Sequence, residues 1–258
     1  IIVKSYFIII LTLLTLFPAL AAPAQVVMPP RIPVGQAYAL NWAGYADVVQ
    51  NGSVSYVSAS WIVPNVTPSQ GLKFVAVWVG IDGFNDSTVE QTGILAETYS
   101  GKVYYSAWYE FYPAASVSAP SQDVVKPGDL IVAWVQYNSN NNTFTTVLRD
   151  VTEGWTFISP ATYVPNAYRS SAEWIVERPA IGNSLTQLAD FSVAYFGPQY
   201  TRILKTDYAV INGRFEPMGY SAFNLTSIAM VNMKGLTLAS PSPVYKETSF
   251  YVTWYAAC

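Results

Sequence analysis

The 258-residue chain contains no histidine and one cysteine, Cys258, at its last position. Without imidazole there is neither a Ser-His-Asp triad nor a Cys-His pair, and the usual His-rich zinc sites lose their ligands. Hydrolytic chemistry would therefore have to run on carboxylates, amides, hydroxyls or lysine. A lone cysteine closes no disulfide within this sequence, and Cys258 reads as an inert tail thiol. Charge is scarce too, at 11% of residues with a net charge of −3, and no Lys/Arg cluster offers a nucleic acid an electrostatic footprint. No stretch keeps helical periodicity over three turns, and neither an internal repeat nor a shift in composition splits the chain. This inventory leads to an expectation of no metal and no cofactor.

What is present in abundance is aromatic and β-branched. Phe, Trp and Tyr make up 15% of the chain, and short runs of such residues alternate with turn pairs such as Asn51-Gly52, Pro127-Gly128 and Asn212-Gly213. That punctuation indicates an antiparallel sandwich or barrel. It predicts strands near 42–49, 53–62, 74–81, 90–98, 103–112, 129–137, 143–150, 171–177, 190–196, 209–214 and 249–255. Ahead of them, Lys4 precedes an apolar run from Tyr6 to Leu16, and Phe17-Pro18-Ala19-Leu20-Ala21 offers small residues at signal-peptidase spacing. The expectation is a secretory signal over residues 1–21, an extended linker or short pro-segment over 22–39, and one β domain over 40–258. The product would be secreted, extracellular and monomeric, with no stable membrane association once the signal is cleaved.

Period-two alternation puts Trp108, Glu110 and Tyr112 on one face of their strand, and Glu173, Ile175 and Glu177 on one face of another. Trp78, Gly80 and Asp82 share a face as well, with Val77, Val79 and Ile81 behind them. Three strands thus carry an apolar back and a front that mixes aromatics with acids or small residues. Aromatic-lined grooves with a few placed polar groups bind extended polymers, peptide or sugar. A retaining glycoside hydrolase would pair Glu110 with Glu177 at a carboxyl separation of about 5–5.5 Å. A carbohydrate-binding module would need neither as a catalyst.

Five motifs occur in order: NWAGY from Asn41, WVGIDG from Trp78, QTG from Gln91, AWYEFYP from Ala107 and AEWIVE from Ala172. As a set they resemble the glutamic peptidases, or eqolisins, from about Asn41 to Glu177. The resemblance implies an all-β, antiparallel double-sheet sandwich of concanavalin A-like or jelly-roll type, and an acid-active, pepstatin-insensitive endopeptidase acting on proteins or peptides. It implies a catalytic dyad of Gln91 and Glu177, the first as oxyanion donor and the second as general base and acid. It also implies a cleft lined by Trp78, Asp82, Trp108, Glu110 and Tyr112. Trp78, Trp108 and Tyr112 would hold substrate side chains, while Asp82 and Glu110 would orient polar groups or tune Glu177. Two departures bear on substrate preference: Ser106 stands where the family often has Asp, and Pro179 stands where an aromatic often follows the catalytic Glu.

Overall fold

Runs such as Phe74-Val-Ala-Val-Trp-Val-Gly-Ile81 are apolar on both faces, and a strand of that kind is stable only when covered on each side. The computed structural model, which describes residues 25–35 and 37–257, covers it in this way. The signal expected over 1–21 and the tail thiol Cys258 lie outside the described residues. Among the described residues the fold is strands with one short helix, Pro198–Thr201, and no helix is long and apolar enough to cross a membrane.

One sheet runs, neighbour by neighbour, Leu225–Val231, Trp42–Val48, Ser171–Glu177, Lys73–Ile81, Val89–Tyr99, Lys102–Tyr112 and the short Val117–Ser118, all antiparallel. The other is built on Val54–Ile62, which pairs with Leu130–Asn138 on one side and with Val193–Phe196 and Tyr208–Ile211 on the other. Leu225–Val231 belongs to both sheets. Its first half pairs with Trp42–Val48, and its second half passes a register shift to pair with Thr237–Pro241. The sandwich is therefore closed at that edge, and the expected antiparallel double sheet is what forms.

Between the sheets, Val77, Val79, Trp174 and Val176 of the first meet Trp61 and Val135 of the second, all within 1% of full burial. The Trp174 indole N–H donates to the carbonyl of Ser58 at 2.9 Å and pegs the two layers together. On the opposite face of the first sheet lies a second apolar cluster of Trp42, Trp78, Trp108, Val89 and Ile175. Period two sorted these residues as expected: the backs of three strands went into the core, and the aromatic and acidic fronts went to this second, concave side. One predicted strand is corrected. The 209–214 run is two strands, Tyr208–Ile211 and Arg214–Pro217, because Asn212 and Gly213 turn the chain with φ of 52° and 77°.

Candidate active site

On the concave face, Lys73–Ile81 lies between the strand carrying Glu177 and the strand carrying Gln91. Glu177 stands opposite Ala76 and Gln91 opposite Gly80, with Trp78 between those two small residues. Glu110 is the direct cross-strand neighbour of Gln91. All three polar side chains are fully buried. Room for the Trp78 indole comes from the glycines around it. A Cβ at Gly93 would lie 2.3 Å from the Val77 carbonyl and 2.5 Å from the Trp78 Cβ, and a Cβ at Gly80 would lie 2.8 Å from the Trp78 ring.

Each member of the pair is held by its own partners. Gln91 Nε2 donates to Glu110 Oε2 at 3.0 Å, which aims the amide. Trp78 Nε1 donates to Glu177 Oε2 at 2.8 Å, and Asn41 Nδ2 donates to Glu177 Oε1 at 3.1 Å. Gln91 and Glu177 are joined through the main chain of a third element, residues 25–31, which crosses the concave face. Gln91 Nε2 donates to the Met28 carbonyl at 2.7 Å, and the Met28 N–H donates to Glu110 Oε2 at 3.0 Å. Asn41 Nδ2 also reaches the carbonyls of Pro29 and Pro30, at 3.2 and 3.1 Å.

Burial dominates the electrostatics. It pushes the Glu110 carboxyl up to about 8, against the lowering pull of the hydrogen bonds from Met28 and Gln91. Glu177 is driven well above the ordinary carboxyl range, chiefly by burial, while hydrogen bonds from Asn41 and Trp78 pull it back. The charge on Glu110 adds a smaller upward push. A carboxyl with these surroundings takes up a proton readily and loses it only when water reaches it.

The remaining residues divide. Trp108 is buried, and its carbonyl accepts from Thr92 Oγ1 at 2.7 Å. With Leu95, Ser106 and Met28 it lines a cavity of about 250 Å³ beside the crossing segment. Tyr112 packs half-buried against the same cluster. Asp82 sits apart: its carboxylate accepts from the backbone N–H groups of Arg169 and Ser170, both at 2.7 Å, and so fastens a loop. Burial, with Asp86 nearby, raises it to about 7. Among the described residues no group of three or more His, Cys, Asp or Glu is spaced to hold a metal.

The model of the family described as "Peptidase A4 family" matches residues 40–206, well over half of the chain. The chain belongs to the peptidase A4 family. Aspergillopepsin-2 of Aspergillus niger is 30% identical over 181 residues, which span 62% of this chain and 63% of that relative's length. The solved structure of aspergilloglutamic peptidase from Aspergillus niger superposes with a TM-score of 0.60 at 26% identity, over 71% of this chain and 99% of that one. Scytalido-glutamic peptidase, solved with a transition state analog inhibitor, gives a TM-score of 0.69 at 21% identity, over 83% and 98% of the two chains, a likeness of fold.

Two residues of this peptidase A4 family chain went unassigned in the sequence. Asn41 opens the NWAGY motif, but it stands just outside its strand, where alternation says nothing about facing. Its place in the motif was the only signal. Met28 had none, since an apolar residue followed by two prolines reads as linker.

Proposed function

We propose that this chain is a secreted, acid-active endopeptidase, insensitive to pepstatin, that hydrolyses proteins or peptides with Gln91 and Glu177 as its dyad. The observation that carries the reading is the Gln91 amide donating to a peptide carbonyl in the cleft at 2.7 Å. A donor at that distance follows the oxygen as it becomes an oxyanion, and one such donor is worth about 3 kcal/mol in the transition state. An amide keeps its donor at every pH, which a carboxyl does not. Ionised Glu177 takes the proton of a water as the water adds to the scissile carbonyl carbon. It then returns the proton to the leaving nitrogen as the C–N bond breaks. Trp78 and Asn41 hold its two oxygens, and Glu110 holds the Gln91 amide. Buried, Glu177 is held well above the ordinary carboxyl range, so it serves as base once water reaches and solvates it; Glu110, raised to about 8, is neutral in acid and adds no opposing charge. Trp78, Trp108 and Tyr112 would seat substrate side chains, and Asp82 would act at a distance by fastening the 169–170 loop.

In this reading Glu177→Gln abolishes cleavage of a denatured protein at acid pH, and Gln91→Ala lowers kcat by about a hundredfold or more. Pepstatin leaves the wild type unaffected. Proteolysis that persists in a clean Glu177→Gln preparation refutes the assignment. A polysaccharide-cleaving activity untouched by Gln91→Ala would instead make Glu110 and Glu177 a glycosidase pair.

A further inference from the structure

We infer that the cavity holding the Glu97 carboxylate is a specificity subsite that takes a lysine side chain of the substrate, two or three residues from the bond that is cut. The inference deepens the peptidase reading and rests on Gln91 and Glu177 being the dyad.

The register of the concave sheet locates the subsite. Glu177 and Leu95 both stand opposite Ala76, one on each side of the Lys73–Ile81 strand, so they share a row across the sheet. Glu97 lies in the next row that faces the same way, opposite Phe74 on one side and Tyr104 on the other. It is therefore two strands across from Glu177, about 10 Å, and two residues along, about 7 Å. An extended peptide advances about 3.4 Å per residue. A substrate whose scissile carbonyl lies between Gln91 and Glu177 can reach Glu97 from its second or third residue, with a long side chain spanning the remainder.

The cavity of about 250 Å³ has two kinds of wall. Leu95, Trp108 and Met28 make it apolar on its sides, while Ser106 and Ser118 bring hydroxyls into the same space as the Glu97 carboxylate. Ser118 is the cross-strand partner of Trp108, so the short Val117–Ser118 strand raises one wall and the crossing segment raises another. An acid on an open sheet face would be satisfied by water alone. Glu97 is partly buried between walls, where a charge acts through a lower effective dielectric than that of water.

No other charged side chain lines the cavity. On the neighbouring strands, Lys102 shares the face of Glu97 two residues before Tyr104, and Lys73 stands opposite Thr98 and faces away. Neither pairs with Glu97, since the one ion pair among the described residues is Lys126–Glu153. Glu110, further along the same face, is neutral in acid. The cavity thus presents a single carboxylate without a cation, at the end of an apolar slot. A lysine matches it group for group: the four-carbon stem packs on the apolar walls, and the compact ammonium offers three donors to one carboxylate and two hydroxyls. Arginine carries the charge on a planar fork and needs a flatter slot. An uncharged chain of the same length would cover the walls and leave the carboxylate stripped of water with no partner.

The test compares kcat/KM for fluorogenic peptides that differ at one residue only, Lys, Arg, norleucine or Glu, with that residue moved along the peptide from set to set. Near-ultraviolet dichroism checks the fold of each variant. Two or three residues from the cut, Lys should be favoured over norleucine by about fivefold or more, with Arg between them. Glu97→Gln should bring the Lys-to-norleucine ratio down to about one, and Glu97→Lys should turn the preference towards Glu. In the wild type the ratio should rise with pH as the Glu97 carboxyl ionises, and in Glu97→Gln it should be flat, a response that lost packing would not give. A wild-type ratio near one at every position, or a ratio that survives Glu97→Gln, overturns the inference. Calorimetric titration of each Lys peptide and its norleucine twin into Glu177→Gln protein needs no turnover and separates the two readings. If the wild type cuts nothing, but a Lys peptide binds more tightly than its twin and loses that advantage with Glu97→Gln, the peptidase reading fails and the subsite stands. If peptides are cut and the twins are treated alike, the subsite fails alone.

Discussion

Asn41 gathers more of the cleft than any other single side chain. Its Nδ2 donates to Glu177 Oε1 and to the carbonyls of Pro29 and Pro30, while its Oδ1 accepts from the Ile32 N–H at 2.8 Å. The bond to Glu177 favours the charged carboxylate. Asn41→Ala therefore raises the Glu177 pKa further, and the acidic limb of the kcat/KM profile should move to higher pH. At a fixed acid pH, loss of a bond to a charged group should cost roughly tenfold in kcat/KM. A limb that stays in place while activity falls would reduce Asn41 to a packing residue. Glu110 and Glu177 were legible because each sits inside a strand, where facing follows from counting by two, and Gln91 because it opens the QTG motif of the family resemblance. Asn41 and Met28 lie in irregular chain, and their place is set by partners far away in sequence.

Elements were most legible where turn chemistry bounded them. The Lys73–Ile81, Val89–Tyr99 and Lys102–Tyr112 strands fall within a residue or so of expectation, because Asp82-Gly83 and Ser100-Gly101 leave little choice. Leu225–Val231 and Thr237–Pro241 escaped notice, since LTSIAMV and TLASP are weakly patterned and owe their form to neighbours brought up from elsewhere. The two central strands also carry a packing demand visible only in three dimensions. Gly93→Ala would drive a methyl into the Val77 carbonyl and the Trp78 Cβ, neither of which can swing aside. The pair should separate locally at a cost of about 1–3 kcal/mol, seen as a fall of several degrees in Tm. Trp78 should lose its bond to Glu177 at the same time, so activity should drop more than stability. A Tm and a kcat that both match wild type would show that the sheet absorbs the methyl.

At the scale of the whole molecule, the carboxyls set how stability follows pH. Burial raises Asp47 to about 8, Asp82 to about 7 and Glu110 to about 8, and it drives Glu90, Glu173, Glu177 and Asp207 well above the ordinary range. In each case the folded value exceeds the unfolded one, near 4, so between the two the folded state holds more protons. Their contribution is intact below about pH 4 and is lost as pH rises towards 8. Acid has little to break in exchange, because the one ion pair among the described residues is the surface contact Lys126–Glu153. Thermal melts should give a higher Tm near pH 3 than near pH 8, whatever the activity does; a Tm flat or rising across that range would contradict the burial of these acids. The count of acids in the sequence could not say which of them would be buried.

The course of residues 25–31 across the concave face bears on how any bound polypeptide must sit. The chain enters the cleft at Gln25, whose side-chain amide donates to the Ser116 carbonyl, and leaves it at Ile32, continuing at both ends. The grip is on the middle of a strand, by its peptide groups, so a groove of this kind takes hold of a loop or an unfolded stretch laid in sideways. It asks for neither a free amino terminus nor a free carboxyl terminus, and partly unfolded proteins in acid present such stretches wherever their packing has loosened.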